Sequence, residues 1–200
     1  MTLISALGGS HMKKQLRNQL LSKQLRAYTE GIFENINDQW VFFDEETDEA
    51  YPLEEYMNNE ISIYRNNRWR KGTLVEEGKL LSGKELIFIK DEDQVRIKKN
   101  LQYSLERLLE ELQDDAFFQF ITTLNNMGFS VYDCIYGYNQ LSFSTTVQLS
   151  GTNFFIFDNG DYICSVHHHF YEHSKEHNRF EFTLNTGKRL VIEKLLKNND

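Results

Sequence analysis

Turn-forming residues between short apolar runs are the feature that most limits how this chain can fold. Two hairpins are predicted near the C-terminus: 153–157 with 161–169 around Asp158-Asn159-Gly160, and 179–184 with 188–193 around Asn185-Thr186-Gly187. Asn and Gly readily adopt the backbone conformations that tight hairpins need, and the flanking runs have the alternation of half-buried strands. The sequence therefore predicts an antiparallel sheet in the C-terminal part of the chain.

The same pattern recurs between Gly31 and Lys99 with shorter strands. Six strands are predicted there, in pairs around Asn37-Asp38, Asn66-Asn67 and Asp91-Glu92-Asp93: 31–36 with 40–44, 60–65 with 69–76, and 85–89 with 94–98. Short strands joined by polar turns at this spacing are typical of a small, strongly bent antiparallel barrel or roll.

Helical spacing of apolar residues marks three other segments: 13–28, 101–112 and 114–124. In addition, Ser130 with Asp133 three residues later has the form of a capping box and predicts a short helix through Tyr136. The first of these helices lies in the N-terminal part of the chain, and the other three lie after Asn100.

These patterns predict an α+β fold of two lobes. Residues 12–99 would form an N-terminal helix and the small antiparallel β-barrel or roll. Residues 100–200 would pack three short helices on an antiparallel sheet. Residues 1–11 end in Gly-Gly-Ser-His directly before Met12, and we interpret them as a translated leader or a cloning remnant.

The composition is that of a folded protein without a membrane span. Hydrophobic residues make up 40% and aromatic residues 14% of the chain, which is enough for a core. No run of about 18 apolar residues occurs, and the N-terminus lacks the features of a secretory signal. Two cysteines are too few for a disulfide framework. We therefore expect a cytoplasmic protein.

The charges argue against a nucleic-acid partner. The formal net charge is −8, and a strongly acidic chain repels the phosphates that supply much of the affinity for nucleic acid. One basic and aromatic cluster, Arg68, Trp69 and Arg70, could stack and bind phosphate, but we favour an ordinary hairpin with Trp69 turned inward and the cations in solvent. We take these three residues as the candidate binding residues for an unknown protein or small ligand.

Five of the six histidines lie in one segment, residues 167–177. On a strand, alternate side chains share a face, so His167 and His169 should point together and His168 away. With a third ligand these two could bind a zinc-like ion, and three nearby residues could supply it: His173, Glu172 or Cys164. The spacing matches no zinc motif. We therefore favour a partly exposed strand and loop that are rich in histidine and bind no metal. A surface that gains charge on acidification is a further interpretation.

No enzyme motif accompanies these residues. Cys134 and Cys164 stand among apolar residues, as small buried side chains do. A phosphate-binding glycine loop, a nucleophile elbow and a dinucleotide fingerprint are all absent from the sequence. We therefore predict no catalytic residue and no cofactor. Zinc is the one metal that the histidines could bind.

Five segments carry a family resemblance: 38–50, 115–125, 132–136, 157–160 and 164–170. They resemble a family of Bacillus and related Gram-positive bacteria that is known only as a domain of unknown function. The resemblance covers most of the chain from about Tyr28 onward. It implies a bacterial cytoplasmic protein and supplies no activity, cofactor or catalytic residue.

The leading functional hypothesis is a non-catalytic binding or regulatory module for a protein or small ligand. Clefts usually form where lobes meet, so the seam between the two lobes is the candidate surface. The alternative is a metal-dependent protein that uses His167, His169 and His173.

Overall fold

The computed structural model describes residues 14–140, 150–171 and 178–194. It divides into two compact units, one from Ala27 to Lys99 and one that joins the residues up to Arg26 to those from Asn100 onward. Residues 1–11, interpreted as a leader or cloning remnant, lie outside the described residues. In the described part of the chain, no helix is long and apolar enough to cross a membrane.

The unit from Ala27 to Lys99 is one antiparallel sheet of eight strands. The strands are β1 (Tyr28–Ile36), β2 (Gln39–Asp44), β3 (Ala50–Pro52), β4 (Glu60–Arg65), β5 (Arg68–Glu76), β6 (Lys79–Ser82), β7 (Glu85–Phe88) and β8 (Asp93–Lys98). Their order in the sheet is β3-β2-β1-β8-β4-β5-β6-β7. A single turn of 3-10 helix, Leu53–Tyr56, follows β3.

The two edge strands of this sheet, β3 and β7, do not pair with each other within the described residues. The antiparallel sheet is therefore confirmed, but the closed barrel is not. Strand β3 is only three residues long and ends at Pro52, which has no N–H to donate to a further strand. The opposite edge, β7, contains no proline.

Two of the three hairpins predicted in this unit are confirmed, β1 with β2 and β4 with β5. The third is wrong, because β8 pairs with β1 and β4, while β7 pairs with β6, a strand that the sequence analysis missed. Gly83, with φ of 64°, makes the tight turn between β6 and β7. In its central position, β8 buries both Val95 and Ile97.

The second unit packs helices on a five-stranded antiparallel sheet. Its helices are α1 (14–22), α2 (Tyr103–Glu111) and α3 (Asp114–Asn126). Its strands are β9 (Cys134–Tyr138), β10 (Ser150–Asp158), β11 (Ile163–Tyr171), β12 (Asn178–Leu184) and β13 (Arg189–Lys194), in the order β13-β12-β11-β10-β9. Both C-terminal hairpins are confirmed, β10 with β11 and β12 with β13.

Aromatic rings join the helices of this unit to its sheet. Phe120 of α3 lies with its ring centroid 6.4 Å from that of Phe157 in β10. The same ring lies 5.2 Å from Phe180 and 5.9 Å from Phe182, both in β12. All four side chains are fully buried, and large buried rings supply more apolar area than any other residue type.

Helix α1 packs in this second unit, whereas the sequence analysis placed it with the strands of residues 12–99. Leu20 and Leu21 pack against the core of the second unit. Arg17 donates to the carbonyl oxygens of Leu109 and Leu112 at 2.9 and 2.7 Å. The last carbonyls of a helix have no intrahelical donors, so a guanidinium placed there satisfies them. This contact with α2 connects distant parts of the chain, and local spacing carries no sign of it.

The short helix predicted through Tyr136 is one turn of 3-10 helix, Val131–Asp133, followed at once by β9. Ser130 and Asp133 do form the predicted capping box. Strand β9 pairs with β10. This pairing satisfies the backbone groups that a longer helix would have satisfied by its own hydrogen bonds.

The hydrogen bonds of the Asp133 side chain predict a loss of stability that can be measured. Its buried carboxylate accepts two hydrogen bonds from Arg26 and one, at 2.7 Å, from the Ser130 N–H. We expect Asp133→Asn to lower the free energy of unfolding by about 2 kcal/mol, because Arg26 loses its charged partner but stays partly hydrated and keeps its hydrogen bond to the Gly128 carbonyl oxygen. Urea denaturation measures this loss. The matched variant Asp161→Asn, at an exposed position, should change stability by less than about 0.5 kcal/mol, and equal losses in both variants would contradict the assignment.

Candidate functional site

His168 lies in the core, on the inward-facing side of β11. It is 1% exposed, and its ring stacks on Phe180 with a centroid distance of 4.5 Å and an interplanar angle of 16°. Both ring nitrogens have partners: Nδ1 lies 3.1 Å from Asn153 Nδ2, and Nε2 lies 2.7 Å from Asn178 Oδ1. The predicted alternation of the histidines is therefore confirmed.

The hydrogen bonds around His168 fix its tautomer. The backbone N–H of Gln140 can only donate, and it donates to Asn153 Oδ1 at 2.8 Å. The Asn153 amide nitrogen must then donate to His168 Nδ1, which is unprotonated. His168 Nε2 consequently carries the proton and donates it to Asn178 Oδ1. This chain of bonds leaves no ring nitrogen of His168 for a metal or a substrate.

Burial also sets the charge of His168. It lowers the pKa of His168 to about 4, and the hydrogen bond to Asn178 only partly opposes this effect. The neighbouring His169 lowers the pKa further. The imidazole is therefore neutral near pH 7. Its hydrogen bonds connect β10 to β12, and it is not placed to act as an acid or base.

His167 and His169 share the outward-facing side of β11, and their ring centroids lie 6.3 Å apart. His167 is 5.0 Å from the Phe154 ring. His169 Nδ1 lies 3.1 Å from Thr152 Oγ1, and its Nε2 lies 3.7 Å from Glu181 Oε1. The two imidazoles thus have different neighbours on the same face.

Glu181, on the adjacent strand β12, is a buried carboxylate among cations. Arg179 Nη2 lies 2.6 Å from Glu181 Oε1, and Arg189 Nη2 donates to Glu181 Oε2. The hydrogen bond from Arg189 is the main cause that lowers the pKa of Glu181, and Arg179 adds to it. A carboxylate with two guanidinium partners has little capacity left to bind a metal ion.

The predicted zinc ligands do not converge among the residues that the structure describes. In that part of the chain, no group of three or more His, Cys, Asp or Glu side chains could hold a metal ion. Cys164 is excluded as a third ligand because it points into the core, opposite to His167 and His169. His173 and Glu172 lie outside the described residues.

Cys164 is a buried thiol, and Cys134 is a partly buried one that packs against the same core. Burial raises the pKa of Cys134 to about 12 and that of Cys164 to about 11. Since the thiolate is the reactive form of cysteine, the raised pKa of each thiol disfavours its reaction near neutral pH. This agrees with their interpretation from sequence as small core residues.

Strand β5 places the predicted binding residues on two different faces. Trp69 is half-buried, with the guanidinium of Arg96 over its ring at 4.6 Å and Tyr64 at a centroid distance of 5.2 Å. Arg68 and Arg70 are on the opposite face by alternation. The structure therefore does not combine Trp69 with these arginines into one stacking and phosphate-binding surface.

Arg70 instead lines an open pocket beside the edge strand β7. The pocket has a volume of about 440 Å³ and is lined by Arg65, Arg70, Glu85, Leu86, Ile87, Phe88 and Lys90. Three of these residues are cationic and three are apolar. Phe88 is 60% exposed and Leu86 is 53% exposed, although large apolar side chains are usually buried.

The three cations of the pocket differ in how firmly they are held. Arg65 is fixed by two hydrogen bonds to the Asp93 carboxylate and one, at 2.8 Å, to the Phe88 carbonyl oxygen. Arg70 pairs at 2.6 Å with Glu85, whose side chain is 73% exposed. Lys90 is exposed, and no residue of the described ranges makes a side-chain hydrogen bond or ion pair with it.

The sequence analysis found Arg70 but missed Arg65, Phe88 and Lys90. Their proximity depends on β7 pairing with β6 at the sheet edge, which the predicted hairpin of 85–89 with 94–98 excluded. The apolar run at 86–89 directly before Lys90 is the local signal that could have identified them.

The buried state of His168 predicts a pH dependence of stability. Its pKa is lower in the folded chain than the usual 6.5, so the unfolded chain binds more protons between these values and stability falls as the pH drops. Between about pH 7 and pH 5 the loss due to His168 should be about 2 kcal/mol. Urea denaturation of His168→Gln should show a pH dependence weaker by this amount. His167→Gln, on the outward face, should keep the wild-type dependence, and an unchanged dependence in His168→Gln would contradict the assignment.

Comparison with known proteins places this chain in a family. Residues 15–194 match the family model described as a protein of unknown function, DUF2777. The chain is 29% identical over 178 residues to the uncharacterized protein YisN of Bacillus subtilis strain 168, which covers 88% of this chain and 90% of that protein. No solved structure matches the chain. The resemblance to a Bacillus family of unknown function is thereby confirmed: the chain belongs to the DUF2777 family.

Proposed function

We propose that this protein is a non-catalytic binding module of the bacterial cytoplasm, and that its site is the pocket beside β7. The ligand is an anion with an apolar part. The observation that carries the proposal is the convergence of three cationic side chains on one open pocket at the edge of β7, where Leu86 and Phe88 are exposed on the other face of the strand. Ligand sites typically combine apolar surface with a few convergent polar groups.

The charges of the pocket favour a carboxylate or a similar anion. Arg65 is held in place by Asp93, so its guanidinium is oriented before a ligand arrives. The pair between Arg70 and the exposed Glu85 is weak, because water competes for both groups. A ligand carboxylate can therefore replace Glu85 at Arg70 while Lys90 contributes a further charge.

A small amphipathic anion tests this proposal. We expect 3-phenylpropionate to bind with a dissociation constant on the order of 1 mM. Binding should shift the backbone amide signals of residues 85–90 in a two-dimensional NMR titration. The neutral 3-phenylpropanamide should bind several-fold more weakly because it lacks the charge. Equal binding of both compounds, or shifts confined to other residues, would contradict the proposal.

Variants of the pocket charges make the test specific. Lys90→Gln and Arg70→Gln should each raise the dissociation constant by about threefold, and Glu85→Gln should lower it by a similar factor because it frees Arg70. Lys84→Gln is the matched control, since it removes the same charge from the neighbouring turn without lining the pocket. If Lys84→Gln and Lys90→Gln raise the dissociation constant equally, the net charge of the protein explains the effect, and the assignment of Lys90 to the site is contradicted.

A zinc-dependent function remains the second candidate. The observation that favours it is the common face of His167 and His169. His173, which lies outside the described residues, would be the third ligand. Elemental analysis of protein purified without a metal-affinity column should then find about one zinc per chain, lost when His167 and His169 are both changed to Ala. Absence of zinc, together with a thermal stability that does not respond to chelator, would reject this candidate.

A further inference from the structure

We propose that the natural ligand of the β7 pocket is an extended acidic segment of another protein, which binds by adding a strand to the free edge of β7. This inference rests on the proposed function and specifies its ligand. It follows from three observations: the free backbone edge of β7, the distribution of side chains on its two faces, and the charge of the pocket.

The edge of β7 offers unpaired backbone groups. In a hairpin closed by a two-residue turn, the pair next to the turn exchanges hydrogen bonds, and bonded and non-bonded pairs then alternate. Ser82 faces Glu85 next to the turn, so Leu86 and Phe88 are at non-bonded positions. Their N–H and C=O groups therefore point away from β6. The Phe88 carbonyl accepts from Arg65, which leaves the Phe88 N–H and both groups of Leu86 for a partner.

No other strand of the described residues covers this edge, because β7 is the last strand in the sheet order. The opposite edge strand, β3, ends at Pro52. Natural sheets usually protect a free edge with proline, charge or a covering segment, because it can pair with another chain. Strand β7 has one exposed charged side chain, Glu85, at its turn end, and its other two exposed side chains, Leu86 and Phe88, are apolar.

Side chains of an added strand would alternate between two different environments. On one face lie Glu85 and the buried Ile87, together with the cations Arg65, Arg70 and Lys90 that line the pocket. On the other face lie Leu86 and Phe88. A partner strand that alternates carboxylate and apolar side chains would place the carboxylates at the cations and the apolar groups against Leu86 and Phe88. Backbone hydrogen bonds would supply affinity, and these alternate contacts would supply specificity.

Three peptides test the inference on the full chain. The parent probe is a heptapeptide of alternating valine and glutamate, acetylated and amidated at its ends. One derivative is N-methylated at its interior valines and the other at its interior glutamates. The N–H groups of alternate residues lie on opposite edges of a strand, so each derivative blocks one edge. Binding is measured by competition with a fluorescent copy of the parent peptide.

Strand addition uses only one edge of the peptide. We therefore expect one derivative to bind at least about tenfold more weakly than the parent, and the other to bind within about twofold of it. Replacing the glutamates by glutamines should also weaken binding several-fold, as should Lys90→Gln in the protein, whereas Lys84→Gln should not.

The outcomes separate this inference from the proposed function. If 3-phenylpropionate binds but the parent peptide does not, or if both methylated peptides bind as the parent does, the strand-addition inference is overturned and the pocket remains an anion site. If neither 3-phenylpropionate nor the peptide binds, both proposals are rejected. If sedimentation shows that the chain self-associates and that the peptide competes with this association, a second copy occupies β7 and the inference is overturned.

Discussion

The alternation of side chains across two antiparallel sheets is the constraint on which the other features of this protein depend. Because successive residues of a strand point to opposite faces, a core residue and a surface residue can be direct neighbours in the sequence. His168 is held in the core, whereas His167 and His169 are on the outward face. Trp69 and Arg70 are separated in the same way, so each joins a different set of neighbours.

His168 and Asp133, two buried polar side chains of the second unit, are satisfied by hydrogen bonds, which identifies them as parts of the scaffold. His168 uses both ring nitrogens with Asn153 and Asn178, and Asp133 accepts from Arg26 and from the Ser130 N–H. An unpaired polar group in such a position would be costly, so these bonds also hold the strands in register. A reactive role would require a free lone pair or proton, and none is left on His168.

The pocket beside β7 has the opposite character. Its cations are only partly compensated, since Glu85 is largely exposed and the ammonium group of Lys90 has no ion-pair partner in the described residues. Leu86 and Phe88 of its lining are exposed, and the adjoining edge has free backbone groups. A folded chain gains little stability from such an arrangement. The proposed function, and the ligand inferred for it, depend on this contrast with the satisfied core.

What the sequence by itself determined is local. The turn residues at 158–160, 185–187, 37–38 and 66–67 were sufficient to predict four hairpins, because a tight turn between alternating runs leaves the neighbouring strands little choice but to pair. The same alternation predicted the separate faces of the histidines. In the candidate site, however, only Arg70 was found in advance, since a cluster that comes from β4, β7 and the turn after it has no common sequence motif.

Only the tertiary structure decided which distant segments meet. Strand β8 lies between β1 and β4, β7 forms the edge, and α1 packs with α2 rather than with the strands that follow it in the chain. Each choice depends on contacts across many residues, such as the bonds from Arg17 to the end of α2. The physical reason is that short strands and amphipathic helices carry the same local pattern wherever they pack, so burial and long-range hydrogen bonding select their partners.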